Sequence, residues 1–170
     1  DAVADEIMDK SAKIWGYANN LGAFAEYTRV KRQAILPKPA HLSWEQAASY
    51  MLCGATAYRM LHGFAPHTVK PGDVVLIWGG SGGMGSMAIQ LVNAAGAIPI
   101  AVVSSDEKAD YCRRIGAKGT INRQDYEHWG VLEDIEDPAG YGQWLSEARR
   151  FQHEIWRLVG DKKNPSIVTE

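Results

Sequence analysis

Five glycines fall within seven positions in Gly79-Gly80-Ser81-Gly82-Gly83-Met84-Gly85, directly after the apolar run VVLIW. Within it, Gly80, Ser81, Gly82, Gly83, Met84 and Gly85 satisfy the spacing G-x-G-x-x-G. Residues this small suit a backbone that must come close to something. The first glycines permit a tight turn, the middle ones let backbone N–H groups reach a pyrophosphate, and the last lets a helix pack on a strand. A helix starting here adds unpaired N–H donors and the positive end of its dipole. The spacing alone is a weak signal. Its setting strengthens it, because it follows a strand-like run and opens a helix-like one. A mononucleotide P-loop is excluded, since no Lys-Ser or Lys-Thr pair follows the last glycine.

A second set of residues discriminates between dinucleotides. Where an NAD-binding unit places an acidic residue, at the end of its second strand, this sequence has Ser104 followed by Ser105. Asp106 comes two residues late and is expected at a helix N-cap. Lys108 falls in the first turn of that helix, and Arg123 follows the third strand. Small hydroxyls flanked by two cations suit a 2′-phosphate better than a bare ribose diol, which points to NADPH. The competing reading of Lys108 and Arg123 is solvated surface charge.

The elements that must position these residues follow from pattern. KPGD at 70–73 is a turn that launches DVVLIW, a continuous apolar run typical of a strand buried on both faces. SMAIQLVNAAG reads as a helix ending at Gly96, IPIAVV as a second buried strand, SDEKADYCRRIGA as a second helix and GTIN as a short third strand. This β-glycine loop-α-β-α-β order predicts an α/β fold, a Rossmann-type doubly wound parallel sheet. Upstream, Ser43 and Gln46 have capping-box spacing for a helix expected to break near Gly54 and resume through Tyr58 and Leu61. AFAEYTRV at 23–30 reads as a strand, and Pro37 and Pro39 then lead the chain out of sheet. Residues 124–163 break the rhythm as a helical insertion. HWGVLEDIEDPAG is acidic and irregular, while Tyr141, Trp144, Leu145, Ala148, Phe151, Ile155, Leu158 and Val159 form one helical stripe. SIVTE opens a further strand, leaving the sheet incomplete in this chain.

Bulk properties exclude other classes. The 170 residues carry a formal net charge of −2 with 46% apolar content, which gives no whole-chain attraction to nucleic acid or anionic membrane. No apolar run approaches the roughly 20 residues that span a bilayer. The acidic start DAVADEIMDKS lacks a signal peptide's basic and apolar regions, and the missing initiator Met suggests a piece of a longer parent chain. Cys53 and Cys112 have neither disulfide-framework nor zinc spacing and read as reduced core thiols of a cytoplasmic protein. The five histidines show no HxxxH or HExxH arrangement, so no metal is expected.

The run LSWEQAASYMLCGATAYRML…VKPGDVVLIWGGSGGMGSMAIQLVNAAGA…AVVSSDEKADYCRRIGAKGTINRQDY strongly resembles the medium-chain dehydrogenase/reductase superfamily over about 40–126. The resemblance implies that 1–40 is the C-terminal remnant of a β-rich, GroES-like catalytic domain and 41–170 a truncated NADPH-binding domain. It also implies that Thr56, in ATAYRML, lies near the nicotinamide; a hydroxyl bonded to its own helix is the plainer alternative. KIWGYANNLGAFAEYTRV and the insertion further resemble the crotonyl-CoA carboxylase/reductase group, which includes the reductase part of propionyl-CoA synthases. That likeness implies hydride transfer from NADPH to the β-carbon of an α,β-unsaturated acyl-CoA, the enolate then being protonated or trapped by CO₂. Carboxylating members usually carry an aromatic-Glu pair after Trp-Gly; here the pair is Tyr17-Ala18. Alanine cannot hydrogen-bond in a CO₂ pocket, so protonation is expected, with Tyr17 near the reacting centre or, on the plainer reading, packed at a domain junction. A carboxylating reductase, a quinone or enone reductase, and a non-catalytic nucleotide-binding or assembly fragment are the rival readings. Partners implied are an acyl-CoA substrate, the rest of the parent chain and further copies in a homo-oligomer. Arg149, Arg150 and Arg157 could meet CoA phosphates or form a solvated face, the plainer reading.

Overall fold

The computed structural model describes residues 14–128, 136–160 and 167–169. The N-terminal DAVADEIMDKS and much of the acidic stretch after Trp129 lie outside them. The chain divides into two compact units, Asp1–Leu42 and Ser43–Glu170.

In the first unit, the strand expected at 23–30 does not form: the chain bends through 23–27, and Phe24 and Tyr27 are exposed. A strand needs a neighbour for its backbone N–H and C=O groups, and no ladder is present among the described residues of this unit. Side chains tie the loop instead. Trp15 Nε1 donates to Arg29 O at 3.2 Å, and Thr28 Oγ1 donates to Leu21 O at 3.3 Å.

The second unit is a parallel sheet of β1 (Val74–Trp78), β2 (Ile98–Val103), β3 (Gly119–Asn122) and β4 (Ile167–Thr169), in the order β3-β2-β1-β4. Its helices are α1 (Trp44–His62), α2 (Gly83–Ala94), α3 (Asp106–Arg114) and α4 (Pro138–Val159). Alternation along the strands feeds two cores. Val75, Ile77, Ala101 and Val103 pack with Leu61 of α1, Ile89 and Val92 of α2 and Cys112 of α3. Val74, Leu76, Ile100 and Val102 face the other way, onto Phe151 and Ile155 of α4. Both faces are therefore covered, which is why the strands read as unbroken apolar runs. The inserted helix supplies the cover on the second face. From its stripe, Phe151 and Ile155 are buried, while Tyr141, Trp144, Leu145, Ala148, Leu158 and Val159 are partly buried.

Two local expectations need correction. α1 runs unbroken through Gly54, where the added flexibility costs a helix about 1 kcal/mol. A Cβ there would touch Tyr50 and Met87 at 3.5–4.0 Å, so the position is snugly packed against α2, and tertiary packing holds the helix together. At α3 the N-cap is Ser105, whose hydroxyl accepts from Lys108 N at 3.4 Å, and Asp106 is the first helical residue. The Ser43–Gln46 capping box forms as expected, with bonds of 3.1 and 2.9 Å.

Candidate functional site

A cleft of about 340 Å³ opens at the C-terminal edge of the sheet, lined by Trp78 and Gly79 after β1, Ser81 and Gly82 of the glycine loop, Val102, Val103 and Ser104 at the end of β2, Lys108 of α3, and Arg123 after β3. In this sheet, β2 and β3 extend to one side of β1 and β4 lies on the other, so strand order reverses beside β1. Open α/β sheets bind ligands at such a reversal, beyond the carboxyl ends of the strands.

The glycine loop is built by close approach. Gly79 adopts φ +63°, a conformation that β-carbon-bearing residues rarely take. A Cβ on Gly85 would lie 2.5 Å from Gly79 O and 2.8 Å from Gly80 Cα, so only glycine lets α2 sit against the turn. The start of α2 differs from those of its neighbours. Ser43, Ser105 and Asp137 cap α1, α3 and α4 with side-chain oxygens, whereas Gly82 at the N-cap of α2 has none. Gly83, Met84 and Gly85 form the first turn, where N–H groups have no intrahelical acceptor. These donors, with the helix dipole, suit a pyrophosphate.

At the other end, Lys108 Nζ donates to Ser104 Oγ at 2.8 Å. Arg123 is exposed and opens a 3-10 turn, Arg123–Asp125. Ser81, Gly82, Ser104, Lys108 and Arg123 thus line one cleft, whereas Gly80, Gly83, Met84, Gly85 and Ser105 are not among its lining residues. Trp78, Gly79, Val102 and Val103 line it too, though motif spacing does not single them out. Trp78 carried a signal: it ends a strand whose four preceding residues are buried, yet is itself 39% exposed.

Comparison with known proteins agrees with this architecture. A family model described as zinc-binding dehydrogenase matches residues 83–143. The crotonyl-CoA carboxylase/reductase of Cereibacter sphaeroides is 49% identical over 166 residues, covering 98% of this chain and 38% of the relative. A solved crotonyl-CoA carboxylase/reductase, AntE, in complex with NADP, superposes with a TM-score of 0.87 at 49% identity over 92% of this chain and 39% of its own. This chain belongs to the crotonyl-CoA carboxylase/reductase group of the medium-chain dehydrogenase/reductase superfamily. The 2-octenoyl-CoA carboxylase reductase CinF, solved with NADP and 2-octenoyl-CoA, is similar at 39% identity and a TM-score of 0.77, over 95% of this chain and 35% of that one.

The chain spans less than two-fifths of the length of these members of the group. Despite the family model's description, no three His, Cys, Asp or Glu side chains converge among the described residues. Two residues implied by the group resemblance, Thr56 and Tyr17, are not among those that line the cleft. Thr56 is on α1 and its hydroxyl donates to Leu52 O at 2.7 Å, the local bond expected of a helical threonine. Tyr17 belongs to the first unit and is 86% exposed. Two of the three α4 arginines pair along the helix, Arg157 with Glu154 at 2.6 Å and Arg150 with Glu147 at 2.7 Å, and Arg149 is exposed.

Proposed function

We propose that the chain binds NADPH and contributes to reduction of a short-chain α,β-unsaturated acyl-CoA, the α-carbon being protonated. The observation that carries the reading is the single cleft joining Gly82, at the uncapped start of α2, to Ser104, Lys108 and Arg123. Open amides suit the pyrophosphate, and two cations with a hydroxyl suit the 2′-phosphate. When bound, NADPH supplies hydride to the β-carbon of the enoyl group. The chain's own part is positioning: fixing both phosphate ends of the cofactor restricts where its nicotinamide can lie. Thr56 and Tyr17 are the residues proposed to stand near the reacting groups, Thr56 retaining acceptor capacity after donating to Leu52 O. Among the described residues no side chain stands out as the proton donor to the α-carbon. The bound ligands of CinF support an acyl-CoA as substrate.

Protonation rather than carboxylation rests on Ala18, which brings no polar group to a CO₂ pocket. The second reading, reductive carboxylation, is favoured by the names of the relatives just described. Product analysis of crotonyl-CoA with NADPH, with and without bicarbonate, separates the two. Butyryl-CoA alone under both conditions is the expected result. A carboxylated product selects the second reading, and turnover of quinones without turnover of acyl-CoA overturns both.

A further inference from the structure

Arg123 stands on a short turn held both locally and from a second element. Its three-residue 3-10 helix is secured locally by the Asn122 side chain, which accepts from Gln124 N at 3.1 Å, and by Tyr126 N donating to Arg123 O at 3.3 Å. The segment that follows is gripped from outside by one face of α4. The Arg150 guanidinium donates to Asp125 O and lies 4.6 Å from the centroid of the Tyr126 ring. Glu147, paired with Arg150 at 2.7 Å, accepts from Glu127 N at 3.3 Å. Trp144 Nε1 donates to His128 O at 3.0 Å. Trp144, Glu147 and Arg150 recur at three-residue intervals, the spacing that puts side chains on one helix face. Phe151, next along, meets the Tyr126 ring edge-on at 5.3 Å and stacks on Trp78, in the cleft wall, at 5.9 Å.

We infer that Arg150 is a positioning residue, latching the turn that carries Arg123 so that the inserted helix α4 sets the protein's preference for a 2′-phosphate. The inference rests on the NADPH reading above. Physically, a long exposed arginine loses freedom when it grips a phosphate, and a fixed backbone beneath it reduces what must be ordered on binding. The latch touches no ligand itself. Its removal should therefore weaken the part of affinity that depends on the 2′-phosphate and leave the pyrophosphate part alone. A merely structural arginine would weaken both.

The test uses the protein that carries this chain and titrates NADPH and NADH separately. Arg150→Met is expected to raise the Kd for NADPH about 3- to 10-fold with NADH within about twofold, a fraction of what the lost cation–π contact and charged hydrogen bond contribute locally, because the latch reaches the ligand only through the turn. Arg150→Lys, which keeps the charge over Tyr126, should recover part of the loss. Combined with Arg123→Ala, Arg150→Met should add nothing, because both act through one group. If Arg150→Met fails to fold by circular dichroism, Glu147→Gln takes its place with the same direction expected. An equal loss for both dinucleotides, or no loss for either, overturns the latch. Arg123→Ala separates this from the parent reading. If it abolishes NADPH preference while Arg150→Met does not, only the latch falls; if the unmutated protein shows no preference, the NADPH reading falls.

Discussion

Lys108 Nζ donates a 2.8 Å hydrogen bond to Ser104 Oγ, so the cation from the first turn of α3 leans back over the end of β2. The bond steers a flexible four-carbon stem toward the cleft without neutralising its charge. Among the described residues Lys108 has no carboxylate within ion-pair distance. A phosphate placed there would meet a cation already oriented.

Lys108→Ala should therefore weaken NADPH binding about 10- to 100-fold, as expected for a hydrogen bond to a charged group, and leave NADH within about twofold. Ser104→Ala should cost NADPH about three- to tenfold, the range of an ordinary hydrogen bond. Fluorescence titration with both dinucleotides checks this, and equal losses for the two would sink the assignment.

Gly85 predicts a packing failure. A methyl group there would press on Gly79 O and Gly80 Cα, which are backbone atoms of the loop and cannot rotate away. Gly85→Ala should lower stability by about 1–3 kcal/mol, the usual cost of overpacking, and weaken both dinucleotides together. Gly82→Ala, whose nearest contact would be 3.2 Å, should be milder. Thermal denaturation of the two variants gives the comparison; equal midpoints would refute it.

The two thiols should differ in reactivity. Burial pushes the Cys112 thiol above its ordinary value of 9.0, and the side chain is fully enclosed. Cys53 is only partly buried, with its sulfur 2.8 Å from where a Gly83 Cβ would lie. Iodoacetamide at pH 8 should label Cys53 and spare Cys112 in the folded protein. The added bulk beside the first turn of α2 should then weaken NADPH binding. Peptide mapping after labelling, followed by titration, tests both steps, and early modification of Cys112 would contradict the first.

His128 introduces a pH dependence. Burial holds its imidazole below the ordinary 6.5; Glu147 opposes that shift and Arg150 adds to it. The unfolded chain then binds its proton at a higher pH than the folded one. Stability from the neutral ring is complete above about 6.5 and declines as pH falls from there toward the folded value. His128→Gln should flatten this decline between neutral and mildly acidic pH. An NMR titration placing the ring's midpoint at or above 6.5 would show the sign to be wrong.

The parallel sheet and its order of elements were legible because β1 and β2 are buried on both faces and α3 and α4 are amphipathic, so local pattern and environment coincide. Val74 to Ile77 read as core from sequence alone and are core. The segment 23–30 misleads for the opposite reason: Phe24, Tyr27 and Val30 have strand-forming side chains, but a strand exists only where a neighbour accepts its hydrogen bonds. Gly54 misleads because helix propensity is a local quantity, and the contact with Met87 comes from another element.

The loop is legible in residue order alone. Five glycines in seven positions after a buried strand leave few backbones other than a close-approach turn, and the hydroxyl of Ser104 with the cations of Lys108 and Arg123 has the chemistry that suits a phosphate. That these residues, 19 positions apart from Ser104 to Arg123, line one cleft with Trp78 and Gly79 follows from the packing of the elements. The same packing decides that Arg150 turns onto Tyr126 and Asp125 while Lys108 leans over the cleft. An arginine and a lysine on two amphipathic helices carry the same signature in one dimension. What each cation does depends on the groups that other elements bring within reach, and strand pairing and helix packing set that distance.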